Sequence, residues 1–310
     1  MTVAGCIGFV GLGQMGCRMV RNLLLKAAAP RILLLDLKQQ VAEEIAAEFP
    51  ETAARAGSLP EMTREADVVI SMLPACAEVQ AAYLSEEGIL KHAKEGSLLV
   101  DCSTVAPSTA ELVQQGAAQR GLDFASAPVS GGVLGAEQAS LTFMLGGEER
   151  VLERAEPVLR HMGKKVVHCG GAGSGAASKL CNNLALAIQM IGTSEALGLG
   201  SQLGVKPEVL ASIMNASTAR CWSSDTYNPC PHVMENVPSS RGYAGGFGVR
   251  LMHKDLTLAL EEGHRVGSMR LPLGQRAAEV YAELAKSDEG GKDFSVVFKH
   301  LFPEIVKARS

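Results

Sequence analysis

A glycine-rich turn near the start of the chain constrains its fold more than any other feature. The apolar run Cys6–Val10 predicts a β-strand, and Met15–Ala28 predicts a helix. Between them lies Gly11-Leu12-Gly13-Gln14-Met15-Gly16. In this G-x-G-x-x-G spacing the first glycine permits the tight turn, the second lets a pyrophosphate approach, and the third lets the helix pack on the strand. The pattern also occurs in ordinary turns, so the neighbouring sequence decides between the two readings.

An acidic residue follows at the spacing that a dinucleotide site requires. A second apolar run, Arg31–Asp36, ends in Asp36, twenty residues after Gly16. A carboxylate here binds the ribose hydroxyls of NAD and repels the 2′-phosphate of NADP, although Lys38 leaves some use of NADP open. The sequence therefore predicts an NAD site formed by Asp36 and the whole glycine turn, including Leu12, Gln14 and Met15.

Strands and helices alternate through the first half of the chain, which predicts a doubly wound, mostly parallel Rossmann-type sheet. From about Ser174 to Leu203 the pattern changes to one long, alanine-rich helix, and further helices follow up to a predicted C-terminal helix at Phe294–Lys307. We therefore predict an α/β fold with an NAD-binding domain at 1–172. An all-α substrate and oligomerisation domain follows at 173–310, joined to the first by the long helix.

Composition excludes several classes of protein. The 310 residues are 47% hydrophobic and 20% charged, which is typical of a globular protein with two domains. A net charge of −4 argues against a nucleic-acid surface, and no apolar stretch reaches membrane-spanning length. The eight cysteines form no C-x-x-C pair and the histidines form no ligand cluster, so we expect reduced thiols and no metal.

Two polar residues interrupt the apolar pattern of the long helix. Lys179 and Asn183 are four positions apart and therefore project from one helix face. A solvated lysine beside a neutral amide is the ordinary interpretation of such a pair. The apolar surroundings favour a different one, in which a buried amine acts as a base and the amide orients the substrate.

Hydroxyl groups and glycines also follow two predicted strands. Asp101-Cys102-Ser103-Thr104 ends one strand, and Ser130-Gly131-Gly132 follows another. Each segment alone is more often a plain turn. Ligands bind at the carboxyl edge of such sheets, and the exposed N–H groups of two glycines are suited to a carboxylate. We therefore expect a substrate carboxylate at Ser130, Gly131 and Gly132.

These segments together resemble the β-hydroxyacid dehydrogenase family over nearly the whole chain. The resemblance rests on the glycine turn with Met15 and Asn22, Asp101–Thr104, Pro128–Gly132, the Lys179–Asn183 helix and the Lys254-Asp255 pair. Arg220–Pro229 and Tyr243–Phe247 are most similar to members that oxidise 3-hydroxyisobutyrate. The resemblance implies NAD-dependent oxidation of (S)-3-hydroxyisobutyrate to methylmalonate semialdehyde in valine catabolism.

The resemblance also implies roles for individual residues. It makes Lys179 the general base and Asn183 its partner on the substrate hydroxyl. It assigns further cofactor contacts to Leu73, Pro74, Thr104 and Lys254, and to Glu78, where the family often has Asn. It places around the substrate Ser130, Gly131, Gly132, Trp222, Phe247 and Asp255.

Other functions share these motifs. A reductase of tartronate semialdehyde, glyoxylate or succinic semialdehyde would have the same core residues, whereas imine reductases lack a lysine at position 179. A non-catalytic dinucleotide-binding module is disfavoured because Lys179, Asn183, Ser130 and Lys254 are all present.

The expected partners are a small β-hydroxy acid and further copies of the chain, as a homodimer or homotetramer formed through the helical domains. We expect no nucleic-acid or membrane partner. The first predicted strand begins close to Met1, so we expect no targeting peptide in this chain. The resemblance implies the mitochondrial matrix for a eukaryotic source and the cytoplasm otherwise.

Overall fold

The computed structural model describes residues 5–309, which form two compact units. The first unit ends at Lys179 and the second begins at Leu180. The predicted division at 172/173 stays a prediction. The expectation about a targeting peptide bears partly on residues 1–4, which lie outside the described range.

One mixed sheet forms the centre of the first unit. Its strands are β1 (Cys6–Val10), β2 (Arg31–Leu35), β3 (Ala53–Arg55), β4 (Val68–Ser71), β5 (Leu98–Asp101), β6 (Asp123–Ser126), β7 (Val129–Ser130), β8 (Leu141–Gly146) and β9 (Gly163–Gly170). The first six are parallel in the order β3-β2-β1-β4-β5-β6, whereas β8 runs antiparallel to β6 and β7, and β9 runs parallel to β8. Strand order reverses at β1, between β2 and β4, and ligands bind at such a switch point in doubly wound folds.

Helices cover both faces of this sheet. They are α1 (Gly16–Leu25), α2 (Gln39–Glu48), α3 (Leu59–Glu65), α4 (Cys76–Leu84), α5 (Ile89–His92), α6 (Pro107–Gln119), α7 (Gly132–Glu137) and α8 (Glu149–Leu159). Neighbouring strand residues point to opposite faces, so Leu34 packs in one buried cluster and Leu33 in the other. The predicted doubly wound, mostly parallel sheet is confirmed.

Several elements lack a readable sequence signal. Strands β3 and β7 have only three and two residues, too few for a period to show. Helix α4 is longer, but its apolar residues are spread around the helix rather than confined to one stripe.

The second unit is helical within the described range. The long helix α9 (Ser174–Gln202) starts in the first unit and continues into the second. The helices that follow are α10 (Pro207–Ala216), α11 (Trp222–Asp225), α12 (Val249–Arg265), α13 (Pro272–Lys286), α14 (Val297–Leu301) and α15 (Pro303–Arg309). Their core includes Met190, Leu256, Tyr281 and Phe294, which confirms the predicted all-α domain reached through a long helix.

The single C-terminal helix predicted over Phe294–Lys307 is wrong. Phe294–Val296 forms a 3-10 turn, α14 ends at Leu301, and α15 begins at Pro303. A proline lacks the N–H that continues a helix and disfavours helical dihedrals in the preceding residue. Phe302 accordingly has φ −134° and ψ 61°, which breaks the helix in two.

No helix described between residues 5 and 309 is long and apolar enough to cross a bilayer. All eight cysteines are free thiols.

Candidate active site

The three glycines of the first turn differ in what a side chain would meet at each position. Gly11 has φ +90°, and a Cβ there would collide with the Met72 carbonyl oxygen. A Cβ at Gly16 would collide with the Gly11 carbonyl oxygen. Gly13 is exposed, and a Cβ there would meet no atom within 4 Å. Neither packing nor a left-handed backbone therefore accounts for Gly13, and its open surroundings leave room for a pyrophosphate over the N-terminus of α1.

Asp36 is held against this turn. Its Oδ2 accepts a hydrogen bond of 2.6 Å from the Leu12 amide, and its Oδ1 accepts one of 2.8 Å from the Lys38 amide. A carboxylate offers about four acceptor positions, so both oxygens retain capacity for ribose hydroxyls. The turn and Asp36 together fit NAD, with Gln14 exposed and Met15 half-buried beside Gly13.

Two further loops leave the same edge of the sheet. Leu73 and Pro74 follow β4, and Thr104 follows β5; both strands run parallel to β1. The Leu73 amide donates a 2.8 Å hydrogen bond to the Ser103 hydroxyl, which joins the two loops. The structure therefore brings these three predicted cofactor residues to the sheet edge that carries the glycine turn.

A buried polar network lies beneath these loops. Asp101 Oδ1 accepts hydrogen bonds from the Ser103 hydroxyl at 2.5 Å and from the Ser71 hydroxyl at 2.7 Å. Tyr83 is 2.8 Å from the Ser71 hydroxyl, and burial together with the nearby Asp101 raises the pKa of its phenol. Sequence reasoning placed Asp101 in the site segment but missed Ser71 and Tyr83, since single polar residues in apolar elements carry no motif.

Glu78 lies in the first turn of α4 and is exposed. An acid is favourable at a helix N-terminus, so the position has an electrostatic reason that is independent of a cofactor. Its contact with the cofactor stays a prediction.

The predicted carboxylate loop is more ordered than a plain turn. Ser130 pairs with Thr142 in the short ladder between β7 and β8, and Gly132 begins α7. Gly131 and Gly132 both have positive φ, +134° and +62°, and a Cβ at Gly132 would meet open space. Consecutive glycines of this kind expose their amides, as an anion site requires.

Asn22 ties this loop to the cofactor helix. Its side-chain amide reaches from α1 to the Ala136 carbonyl of α7 at 2.7 Å and is buried. The positions of α1 and α7 are therefore coupled through one side chain. Asn22 was part of the family pattern, but only the structure shows what it contacts.

Lys179 and Asn183 lie one turn apart on α9, and both are buried, at 7% and 2% exposure. The ordinary interpretation of Lys179 as a solvated surface lysine is therefore wrong. Asn183 donates a 2.6 Å hydrogen bond to Asp255 Oδ2 and accepts one of 3.0 Å from the Asn182 side chain. These partners fix the orientation of the Asn183 amide.

Asp255 and Lys254 lie on α12 in the second unit. Lys254 Nζ is 3.4 Å from Asp255 Oδ1, and Asp255 is only 2% exposed. The structure thus joins Asn183, Asp255 and Lys254 into one polar cluster. The role of Asp255 shown here is support of Asn183, while its predicted contact with substrate stays a prediction.

The predicted aromatic substrate residues belong to a group of stacked rings. Trp222 begins α11 and stacks on Tyr227 with ring centroids 4.5 Å apart. Phe247 meets Phe294 edge to face at 6.0 Å. Trp222 is 43% exposed and Phe247 is half-buried, so each ring presents part of its surface to solvent.

Comparison with known proteins identifies the family. Residues 6–171 match the model of the NAD-binding domain of 6-phosphogluconate dehydrogenase. Residues 173–301 match the model described as NAD-binding of NADP-dependent 3-hydroxyisobutyrate dehydrogenase. A probable mitochondrial 3-hydroxyisobutyrate dehydrogenase of Dictyostelium discoideum is 44% identical over 95% of this chain and 90% of its own length. The chain belongs to the 3-hydroxyisobutyrate dehydrogenase family.

Other members of this family differ in the substrate that their names give. An NAD-dependent L-serine dehydrogenase of Pseudomonas aeruginosa is 43% identical over 96% of this chain and 98% of its own length. A solved structure of Mycobacterium tuberculosis 3-hydroxyisobutyrate dehydrogenase with L-serine matches with a TM-score of 0.89 at 38% identity, covering 96% of this chain and 99% of the other. The protein is thus an NAD-dependent oxidoreductase of the β-hydroxyacid dehydrogenase type. The non-enzymatic alternative is excluded.

Within the described residues, no group of three or more His, Cys, Asp or Glu side chains is arranged to hold a metal ion.

Proposed function

We propose that this enzyme oxidises the primary alcohol of (S)-3-hydroxyisobutyrate to methylmalonate semialdehyde, a step of valine catabolism. The observation that carries the proposal is the buried amine of Lys179 one helical turn from the oriented amide of Asn183, in a chain 44% identical to relatives with this name. A buried amine next to an amide suits a reaction that removes a proton from an alcohol.

Each residue has a defined task in the proposed reaction. Lys179 accepts the proton of the substrate hydroxyl, and Asn183 holds that hydroxyl in place. Ser130, Gly131 and Gly132 bind the carboxylate. The glycine turn and Asp36 would hold NAD, which would supply the acceptor for the hydride that leaves the carbinol carbon. Loss of one proton and one hydride converts the alcohol to an aldehyde.

Oxidation of L-serine is the second candidate. The names of the Pseudomonas relative and of the Mycobacterium complex favour it. Serine carries an ammonium group where 3-hydroxyisobutyrate carries a methyl group. The apolar rings of Trp222 and Phe247 support the methyl-bearing substrate, because an ammonium ion loses more hydration on burial than a methyl group does.

A substrate panel tests the proposal. Reduced cofactor is measured with 3-hydroxyisobutyrate, 3-hydroxypropionate, serine and glycerate, each with NAD and with NADP. We expect the highest kcat/KM with 3-hydroxyisobutyrate and NAD. A higher kcat/KM with serine assigns the enzyme to the second candidate, and a higher value with glycerate favours a tartronate semialdehyde reductase.

We also propose that the chain forms a homodimer or homotetramer. Four large apolar side chains of the second unit that are 50–73% exposed support association, namely Leu199 on α9, Leu203 directly after it, and Val209 and Ile213 on α10. The Dictyostelium relative is named as mitochondrial and the Pseudomonas relative is bacterial. The matrix therefore stays the proposed compartment only for a eukaryotic source, and the cytoplasm otherwise.

A further inference from the structure

Asp293 is a fully buried carboxylate in the second unit to which sequence reasoning gave no role. Its Oδ1 accepts hydrogen bonds from the amide and hydroxyl of Ser295, at 2.9 and 2.5 Å. Its Oδ2 accepts hydrogen bonds from the Tyr227 hydroxyl at 2.9 Å and the Phe247 amide at 2.7 Å. The Ser295 bonds are local, whereas Tyr227 and Phe247 lie 66 and 46 positions earlier in the chain. One side chain therefore joins three separate segments.

The position of this carboxylate leaves no space for a side chain at residue 246. Gly246 has φ +70°, and a Cβ there would collide with Asp293 Oδ2 and lie 2.5 Å from the Tyr227 hydroxyl oxygen. Only glycine leaves room for the two hydrogen bonds to Oδ2. Backbone bonds reinforce the junction, since the Phe294 amide donates to the Phe247 carbonyl at 2.8 Å and the Asp293 amide to the Tyr243 carbonyl at 3.0 Å.

The two groups bonded to Asp293 Oδ2, the Tyr227 hydroxyl and the Phe247 amide, support the partly exposed rings of Trp222 and Phe247. Tyr227 is stacked between Trp222, at 4.5 Å and 20°, and Phe294, at 5.9 Å and 19°. Its hydroxyl bond to Asp293 therefore fixes the ring on which the half-exposed Trp222 rests. The bond to the Phe247 amide fixes the backbone from which the second half-exposed ring projects.

We propose that Asp293 is a positioning residue that sets the places of Phe247 and, through Tyr227, of Trp222, and so determines how well the enzyme discriminates a branched from an unbranched substrate. This inference rests on the proposed function, in which these two rings contact the methyl branch. A pocket wall distinguishes one methyl group only when its own atoms are held in place, because a loose wall relaxes around either substrate.

Three variants separate this role from general core stability. Asp293→Asn removes one acceptor oxygen, and Tyr227→Phe removes one hydroxyl while keeping the stacked ring. Tyr281→Phe is the matched control, because its buried hydroxyl donates to the Phe294 carbonyl at 3.2 Å in the same cluster and does not bond to Asp293. Tyr227→Phe serves as the test if Asp293→Asn fails to fold.

The first readout is the ratio of kcat/KM for 3-hydroxyisobutyrate to kcat/KM for 3-hydroxypropionate, which lacks the methyl branch. One methyl or methylene group is worth about 10- to 200-fold in such discrimination. We expect the ratio to fall roughly 10-fold in Asp293→Asn and less in Tyr227→Phe, with no change in Tyr281→Phe. An unchanged ratio in both test variants, or an equal fall in the control, would overturn the inference.

The second readout does not depend on the substrate. Trp222 is the only tryptophan of the chain, so intrinsic fluorescence reports its packing directly. We expect stronger acrylamide quenching in Asp293→Asn and Tyr227→Phe than in the unmodified enzyme or Tyr281→Phe. If the unmodified enzyme oxidises neither hydroxy acid, the proposed function fails, while quenching still decides whether Asp293 positions Trp222. Unchanged quenching in both test variants contradicts that positioning.

Discussion

The chemistry proposed for this enzyme depends on a few side chains whose burial is unusual for their type. Lysine side chains are mostly exposed, since their charged form loses hydration on burial. Lys179 is nevertheless 7% exposed in an alanine-rich helix. Its burial one helical turn from Asn183 makes this amine the candidate base of the proposed reaction.

Replacement of Lys179 tests whether it is the general base. Lys179→Ala is expected to lower kcat by roughly 10²–10⁴ while NAD binding changes little, because the proton acceptor is lost but no cofactor contact is. Lys179→Arg keeps a positive charge but cannot lose its proton, so it is expected to be as slow. Stopped-flow turnover and NAD titration measure the two effects. Loss of NAD affinity with normal kcat would reassign Lys179 to cofactor binding.

Asp36 is expected to make the enzyme prefer NAD. Its carboxylate is fixed beside Leu12 and repels a 2′-phosphate. Asp36→Ala should therefore lower the ratio of kcat/KM for NAD to kcat/KM for NADP. Glu44→Ala, which removes an exposed acid on α2, is the control and should leave the ratio unchanged. Equal kcat/KM for the two cofactors in the unmodified enzyme contradicts this prediction.

Ser130 is expected to bind the substrate carboxylate. Ser130→Ala removes one hydrogen bond to a charged group, worth about 1.5–3 kcal/mol, which is roughly a 10- to 150-fold loss in kcat/KM. The amide of 3-hydroxyisobutyrate provides the comparison, since it carries no negative charge for Ser130 to bind. Equal effects on the acid and the amide would place the carboxylate elsewhere.

At the scale of elements, the three glycines of the first turn have different surroundings although they are chemically identical. Gly11 and Gly16 are required by the backbone and by packing, whereas Gly13 borders open space. The spacing of the glycines suggested this division, but the contacts at each Cβ position show which glycines the fold requires and which one packing leaves free.

Alanine at two of these glycines should separate folding from binding. Gly13→Ala is expected to retain the melting temperature and lose NAD affinity, because its methyl group occupies the pyrophosphate position. Gly16→Ala should lower the melting temperature, because its methyl group collides with the Gly11 carbonyl. Thermal denaturation and isothermal titration with NAD measure both. Normal NAD affinity in Gly13→Ala would show that the pyrophosphate does not bind at this turn.

At the scale of the whole molecule, the proposed association rests on apolar surface of the second unit. Leu203, directly after α9, is 73% exposed, and Ile213 on α10 is 55% exposed. Burial of such side chains contributes about 1.5–3 kcal/mol each.

A charge within this surface should weaken the oligomer. Leu203→Glu is expected to shift the mass measured by light scattering toward the monomer, because burial of an unpaired carboxylate is unfavourable. Leu112→Glu, at a leucine that is 45% exposed on α6 of the first unit, is the control. A monomeric unmodified protein, or an unchanged mass for Leu203→Glu, would contradict the proposed interface.

The sequence by itself determined the features that depend on local order along the chain. The glycine turn, the alternating strands and helices, and the long alanine-rich helix α9 follow from steric rules and from hydrophobic patterns, which act over a few residues. The use of NAD and the doubly wound sheet were therefore predictable. The placement of Lys179 and Asn183 on one helix face was also predictable, since they are four residues apart.

Only the tertiary structure decided features that join distant segments. Asn22 binds α7, Ser71 and Ser103 meet on Asp101, and Asp293 collects Tyr227 and Phe247 from far along the chain. A lone buried polar residue has no periodicity, and its partner is set by how the whole chain packs. Short elements likewise depend on their neighbours: β7 pairs with β8, and Asn22 of α1 bonds to α7. Their own sequences are too short to specify them.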